Sequence, residues 1–251
     1  MSFPPSWHPV LAAKSLRAGD NVVPALVDDQ PLALWRSADG VARVWEDRCP
    51  HRGVALSLGR VAGDHLACAY HGWQYAATDG RCIAIPAMPH QPVPGKVCVK
   101  TYAVRECQGL VWVDLAPAAT CESSHAQETA KHGPACAHEV ANHPPAPAPA
   151  QAAAATAAAT ITHCFLSTFC VDRPIARVDL SLADADFTQQ SPYAWQGTLN
   201  GSAVRLYTLG ASAQWSMLHL FSAQPADDAQ RKRLFIAARS LRAAMETPQG
   251  L

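Results

Sequence analysis

The chain has 251 residues, 49% of them apolar, which is enough to build one large core or two small ones. Twenty basic residues balance twenty acidic ones, so there is no electrostatic case for nucleic acid or an anionic membrane as a partner. No apolar run approaches membrane-spanning length, and residues 1–5 have neither the basic nor the apolar region of a secretion signal. A reduced, cytoplasmic setting is therefore the expectation.

Strand signals come first along the chain. Residues 33–36 and 41–45 flank Ser37-Ala38-Asp39-Gly40, a hairpin turn. Two short cysteine–histidine pairs follow: Cys49-Pro50-His51-Arg52-Gly53 and, after a gap of 16 residues from His51, Cys68-Ala69-Tyr70-His71-Gly72-Trp73. Two thiolates and two imidazoles, each pair in its own tight turn, are what a Rieske [2Fe–2S] centre needs, because there two histidines replace two cysteines on one iron. A four-coordinate zinc site takes the same donors, and buried cysteines beside incidental histidines are the plainest reading. The neighbours favour the cluster. Gly53 is free to take positive φ, Trp73 supplies a shielding ring, and the rigid apolar loop Ile85-Pro86-Ala87-Met88-Pro89 can close a third side and limit solvent access. In a two-iron centre Cys49 and Cys68 hold the inner iron, and His51 and His71 the outer one, which faces solvent or a partner.

Gln74-Tyr75 leads into another turn at Asp79-Gly80, and residues 97–104 and 110–115 have the content of strands. The composition then changes. Eleven of the 21 residues in 141–161 are alanine, interrupted by Pro144, Pro145, Pro147 and Pro149. Residues 151–160 suit a helix but have no amphipathic face to dock, so this stretch reads as a linker. Strand candidates resume at 163–171, 175–182, 193–199, 203–209 and 215–221, with Asn200-Gly201 as a hairpin turn. Residues 181–186 and 225–228 read as turns. Residues 233–238 form a last strand or open a helix that reaches Met245, since Leu234, Ala238, Leu241 and Met245 are helix-spaced. Seven cysteines remain (Cys82, Cys98, Cys107, Cys121, Cys136, Cys164 and Cys170) and are expected as free thiols, with Cys164 and Cys170 as small core residues. The expected organisation is residues 1–116, a linker at 117–161, and a second domain at 162–251. The expected class is mainly β (α+β).

From Trp7 to Leu115 the chain resembles the Rieske non-haem iron oxygenases, and within them the monooxygenase-type alpha subunits that demethylate or hydroxylate small organic molecules. The resemblance is carried by Trp7-His8-Pro9-Val10, Leu34-Trp35-Arg36, the run from Trp45 to Gly53, Leu56-Ser57-Leu58-Gly59, the turn from Cys68 to Trp73, Ile85-Pro86-Ala87 and Gly109-Leu110-Val111-Trp112-Val113. It implies an antiparallel β domain with a [2Fe–2S] Rieske cluster on Cys49, His51, Cys68 and His71. It also implies a reductase or ferredoxin as electron donor, and a homo-oligomer, or a hetero-oligomer with an oxygenase subunit, in which the electron crosses to a neighbour's iron. The region after 161 more weakly resembles the antiparallel sheet of the oxygenase catalytic domain, which grips a helix, here in shortened form.

Members of that family also bind a mononuclear Fe(II) through two histidines and a carboxylate. The match in spacing is His138-Glu139-Val140-Ala141-Asn142-His143. Ala135 stands where the family has an aspartate, and Pro144-Pro145 would end a helix at once. The expectation is thus a linker with two histidines, and an iron supplied by a partner chain. Glu246 is the sole acid in residues 240–251, and His163 and His219 are expected as core or pocket histidines. Tyr193, Trp195, Tyr207, Trp215, Met217 and Phe221 are candidates for an apolar pocket, though aromatics at strand spacing usually build core. Three functions fit: an oxygenase component with a reduced catalytic region, a complete but divergent oxygenase, and a non-catalytic ferredoxin-like carrier or degenerate structural subunit. Planar aromatic substrates are the family expectation.

Overall fold

The computed structural model describes residues 6–116 and 163–247. In the first region ten strands follow one another: β1 (Trp7–Ala12), β2 (Val22–Val27), β3 (Gln30–Arg36), β4 (Ala42–Glu46), β5 (Arg60–Ala62), β6 (His65–Ala67), β7 (Gln74–Ala76), β8 (Cys82–Ala84), β9 (Thr101–Cys107) and β10 (Leu110–Asp114). Six of them form an antiparallel sheet in the order β1-β10-β9-β4-β3-β2, and the other four form a small meander, β5-β6-β7-β8. The β3–β4 hairpin is where alternation and Asp39-Gly40 put it. Arg43 clamps its turn by hydrogen-bonding Asp39 and Ser37.

The two sheets share a core of Trp35, Trp45, Leu56, Leu66 and Tyr75. Trp35 and Trp45 meet edge to face at 4.8 Å, an arrangement that adds about 0.5–1.5 kcal/mol to their burial. Gly59 is needed because a Cβ there would lie 2.4 Å from the Ala67 carbonyl oxygen. The strand expected at 97–104 starts only at Thr101. Residues 97–99 instead hydrogen-bond the small meander, with Cys82 N–H donating to Val97 and Val99 N–H donating to Gly80.

The second region runs β11 (Cys164–Val171), α1 (Ile175–Asp184), β12 (Thr188–Ser191), β13 (Ala194–Leu199), β14 (Ser202–Gly210), β15 (Ser216–Ser222) and α2 (Asp228–Glu246). Its antiparallel sheet has the order β11-β15-β14-β13-β12. Both helices cover one face of it, over Phe169, Val178, Leu182, Trp195, Leu206, Leu220 and Leu234. Among the described residues the class is therefore mainly β with antiparallel pairing throughout, and the second sheet grips helices.

The strand expected at 175–182 is helix α1. Val178, Leu180 and Leu182 alternate with polar residues and mimic a strand, but Val178 and Leu182 are buried while Leu180 is 58% exposed. The period that matters is four, the helical one. The expected turn at 181–186 is correspondingly the end of α1 and its exit. At the far end the helix alternative holds. Asp227 caps α2 by accepting from Gln230 N–H at 2.7 Å, and Leu234, Ala238 and Met245 are buried on its inner face.

The other face of the second sheet packs on the first region. Tyr207 and Phe221 meet Trp7, Leu110 and Trp112 in the core at the junction, and Tyr207 also lines, with Tyr193 and Trp112, a cavity of about 210 Å³ there. His219 is fully buried between Thr168 Oγ1, at 2.9 Å from Nδ1, and the Pro9 carbonyl, at 3.1 Å from Nε2. Nε2 must donate to the carbonyl, so Nδ1 accepts from the threonine. Burial holds this imidazole neutral, at a pKa of about 4. It is a core histidine. No helix among the described residues is long and apolar enough to cross a membrane.

Candidate metal centre

Two loops of near-identical construction meet at one end of the first region. The first runs from Cys49 and the second from Cys68. In each, the cysteine N–H donates to the carbonyl five residues on (Val54 at 2.8 Å, Trp73 at 2.9 Å), and the cysteine carbonyl accepts from the glycine four residues on (Gly53 at 2.8 Å, Gly72 at 3.0 Å). Both glycines have positive φ, 74° and 70°, which is why glycine stands there. Asp47 anchors the first loop by accepting from the N–H and hydroxyl of Ser57 at 2.7 and 2.6 Å. Pro86 closes the second from above. Its Cγ sits 3.1 Å from where a Cβ on Gly72 would be.

The loops bring Cys49, His51, Cys68 and His71 together. Both cysteines are buried, at 3% and 2% exposure, against Trp45, Leu56, Tyr75 and Ile85. Burial pushes the Cys68 thiol up, and the adjacent Cys49 sulfur adds to this. The backbone N–H groups of Tyr70 and His71 oppose it by hydrogen-bonding the sulfur. His51 and His71 lie outward, with their Nδ1 atoms 3.0 Å apart. The His51 ring stacks on Trp73 with centroids 4.1 Å apart and planes 8° from parallel, and the Tyr70 ring lies 3.8 Å from that of His71. Desolvation, then the neighbouring His71 and Arg52, lower the His51 pKa, which favours a free lone pair over a proton.

The donors thus form two pairs, soft thiols inside and imidazoles outside. Among the described residues no group of three or more His, Cys, Asp or Glu is placed so that it could hold a single metal ion. A donor set of this kind fits a [2Fe–2S] group, with thiolate and imidazole donors on different irons.

One participant is not singled out by the motif. The Tyr75 hydroxyl lies 3.1 Å from Cys49 Sγ. Burial first, then the hydrogen bond to Cys49, hold the phenol protonated far above its usual range, so it donates to the sulfur. The available signal was alternation from Trp73 into β7, which turns residue 75 inward beside the cysteines.

His138 and His143, the pair with the spacing of an iron site, lie outside the described residues. Glu246 is engaged structurally. Its carboxylate accepts from Asp172 N–H at 3.0 Å and from Arg242 at 2.9 Å.

Residues 6–103 match the family model of the Rieske [2Fe-2S] domain, and this region of the chain is such a domain. Its homologues include Rieske non-haem iron oxygenase alpha subunits. The chain is 39% identical over 109 residues to oxidoreductase NdmD of Pseudomonas putida, covering 43% of this chain and 18% of that protein. It is 36% identical over 121 residues to methylxanthine N1-demethylase NdmA of the same organism, covering 46% and 33%. With the 3-chlorobenzoate-3,4-dioxygenase oxygenase subunit of Comamonas testosteroni it shares 40% over 108 residues, covering 43% and 25%. The matched part is thus no more than a third of these relatives' length. Among solved structures, the QL mutant of Pseudomonas putida NdmA with theobromine superposes with a TM-score of 0.65 at 18% identity, covering 98% of this chain and 82% of that one. Apo dicamba monooxygenase gives 0.61 at 16%, covering 96% and 84%. The likeness of fold therefore extends through the second region, well beyond the Rieske domain.

Proposed function

We propose that Cys49 and Cys68 bind one iron of a [2Fe–2S] cluster and His51 and His71 the other, and that the chain is the electron-relaying part of an oxygenase system. When bound, the cluster supplies one-electron redox chemistry at a potential in the range of about −150 to +300 mV. The residues around it each have a task. The cysteines sit in the core, where the Tyr75 hydroxyl and the amides of Tyr70 and His71 stabilise negative sulfur. Trp73 and Pro86 keep water from the sides. The two imidazoles form the exposed edge through which a reductase or ferredoxin donor makes contact.

The reading is carried by one observation: two ring nitrogens 3.0 Å apart with two buried thiols behind them. The onward step is O2-dependent hydroxylation or demethylation of a small, aromatic molecule at a non-haem iron, in a homo-oligomer or with an oxygenase subunit. It is inferred from what the relatives are called. Our assignment puts residues 1–116 in the cluster domain, 117–161 in a linker and 162–251 in a shortened catalytic-like sheet. An iron on this chain would rest on His138 and His143.

Metal and sulfide analysis of anaerobically purified protein tests the assignment. Two irons and two acid-labile sulfides per chain, with the rhombic electron-paramagnetic signal of a reduced mixed-ligand cluster, are expected. A third iron, lost in His138→Ala, would give the chain its own oxygenation site. Zinc without labile sulfide overturns the cluster.

A further inference from the structure

The exposed edge has two flanks of opposite character. On the His51 side a groove of about 480 Å³ is lined by Glu46, Arg48, Cys49, His51, Arg52 and Lys100. It holds three cations against one carboxylate. Arg48 and Arg52 are exposed, and neither takes part in an ion pair among the described residues. The Lys100 ammonium lies 4.8 Å from the centroid of the Tyr102 ring, a contact that leaves its charge in place. The His71 side is different. Tyr70 is 62% exposed and Met88 39%, and Pro86, Ala87 and Pro89 are also exposed around them, with no charged side chain in that run.

Charge at an interface raises encounter rate and fixes orientation more than it adds affinity. Lasting interfaces are depleted of charge at their centres. The chain as a whole carries equal numbers of acidic and basic residues, so it has no overall field to draw a partner in. Any steering must come from a local patch, acting over a Debye length of about 8–10 Å.

We propose that the groove formed by Arg48, Arg52 and Lys100 beside His51 is the docking surface for an acidic electron-donor protein, one whose redox centre is rimmed by carboxylates. This rests on the cluster assignment above. The exchange is a single electron: the donor is oxidised by one, the chain reduced by one, and no bond is made or broken. The free guanidinium groups suit bidentate pairing with carboxylates, and their position beside His51 would bring such a partner's centre to the imidazole edge.

The probe is an acidic plant-type [2Fe–2S] ferredoxin, titrated onto cluster-loaded protein from about 20 to about 500 mM salt. Its affinity is expected to fall at least about tenfold across that range. Arg52→Glu and Lys100→Glu should each weaken low-salt binding about tenfold and flatten the salt dependence, and the rate of reduction by the ferredoxin should fall in parallel. The cluster's absorption spectrum should stay as in the parent, which shows the centre intact. Should Arg52→Glu disturb the adjacent His51, Lys100→Glu carries the test. Salt-independent binding to cluster-loaded protein, or charge reversal that changes affinity less than about twofold, overturns the docking surface alone. A purified chain without cluster overturns the assignment beneath it as well.

Discussion

The two regions are both antiparallel sheets over apolar cores, yet they spend their residues differently. The strands of the meander beneath the candidate centre are three residues long, at the short end of the usual range. The loop with Cys68 and His71 joins two of them, β6 and β7, and the loop with Cys49 and His51 leads from β4 into the first, β5. In the second region β14 has nine residues and β15 seven, two helices cover one face, and the histidine on β15 is locked in the core. Where chemistry is to be exposed, regular structure shrinks and specific loop hydrogen bonds take over. Where the task is to hold shape, long strands and helix packing suffice. With the proposed cluster bound, the first arrangement would lean on it, because ligands gathered by folding return binding free energy to the fold. The second does not.

The largest effect should come from Cys68→Ser. Loss of all iron and labile sulfide is expected, together with loss of amide-exchange protection across residues 60–84, while β11–β15 keep theirs. Equal loss in both regions would erase the contrast. Next is Leu220→Ala, a fully buried leucine of the second sheet. It should cost about 2–5 kcal/mol in denaturant unfolding and leave the cluster's absorption unchanged. A bleached cluster would show that the two regions do not stand apart.

His219 links the regions and yields a pH prediction. Its folded pKa of about 4 lies below the unfolded value of 6.5, so the unfolded chain binds more protons between these limits. Stability is fully present above pH 6.5 and falls by about 3 kcal/mol on acidification to pH 4. His219→Gln should flatten that part of the profile, measured by chemical denaturation at fixed pH values. The smallest effect is Tyr75→Phe. Removing the hydroxyl 3.1 Å from Cys49 takes a donor from the more negative, reduced state, so the midpoint potential should fall by tens of millivolts. An unchanged potential would mean that this hydrogen bond does not distinguish the redox states.

The two candidate ligand loops were legible because each is a local object. Cys, His and a positive-φ glycine four residues after the cysteine describe the loop completely, and Trp73 and Pro86 lie within reach of it along the chain. The hairpins at Asp39-Gly40 and Asn200-Gly201 were legible for the same reason. Helix α1 was not. Val178, Leu180 and Leu182 satisfy two periods at once, and only the sheet beneath decides which of them is buried. Nor could alternation alone show that Tyr75 would meet Cys49, 26 residues away.

What the order of residues determines by itself is the donor set, the two glycine-closed loops and the predominance of strands, since these depend on neighbours a few positions apart. The tertiary structure alone decided that the imidazoles face each other at the surface with a cationic groove on one side. It also decided that His219 reaches Pro9 across 210 positions of chain, and that the second sheet turns one face to its helices and the other to the first region. Those outcomes depend on which apolar faces find each other when the chain collapses, and burial is a property of the whole molecule rather than of any segment.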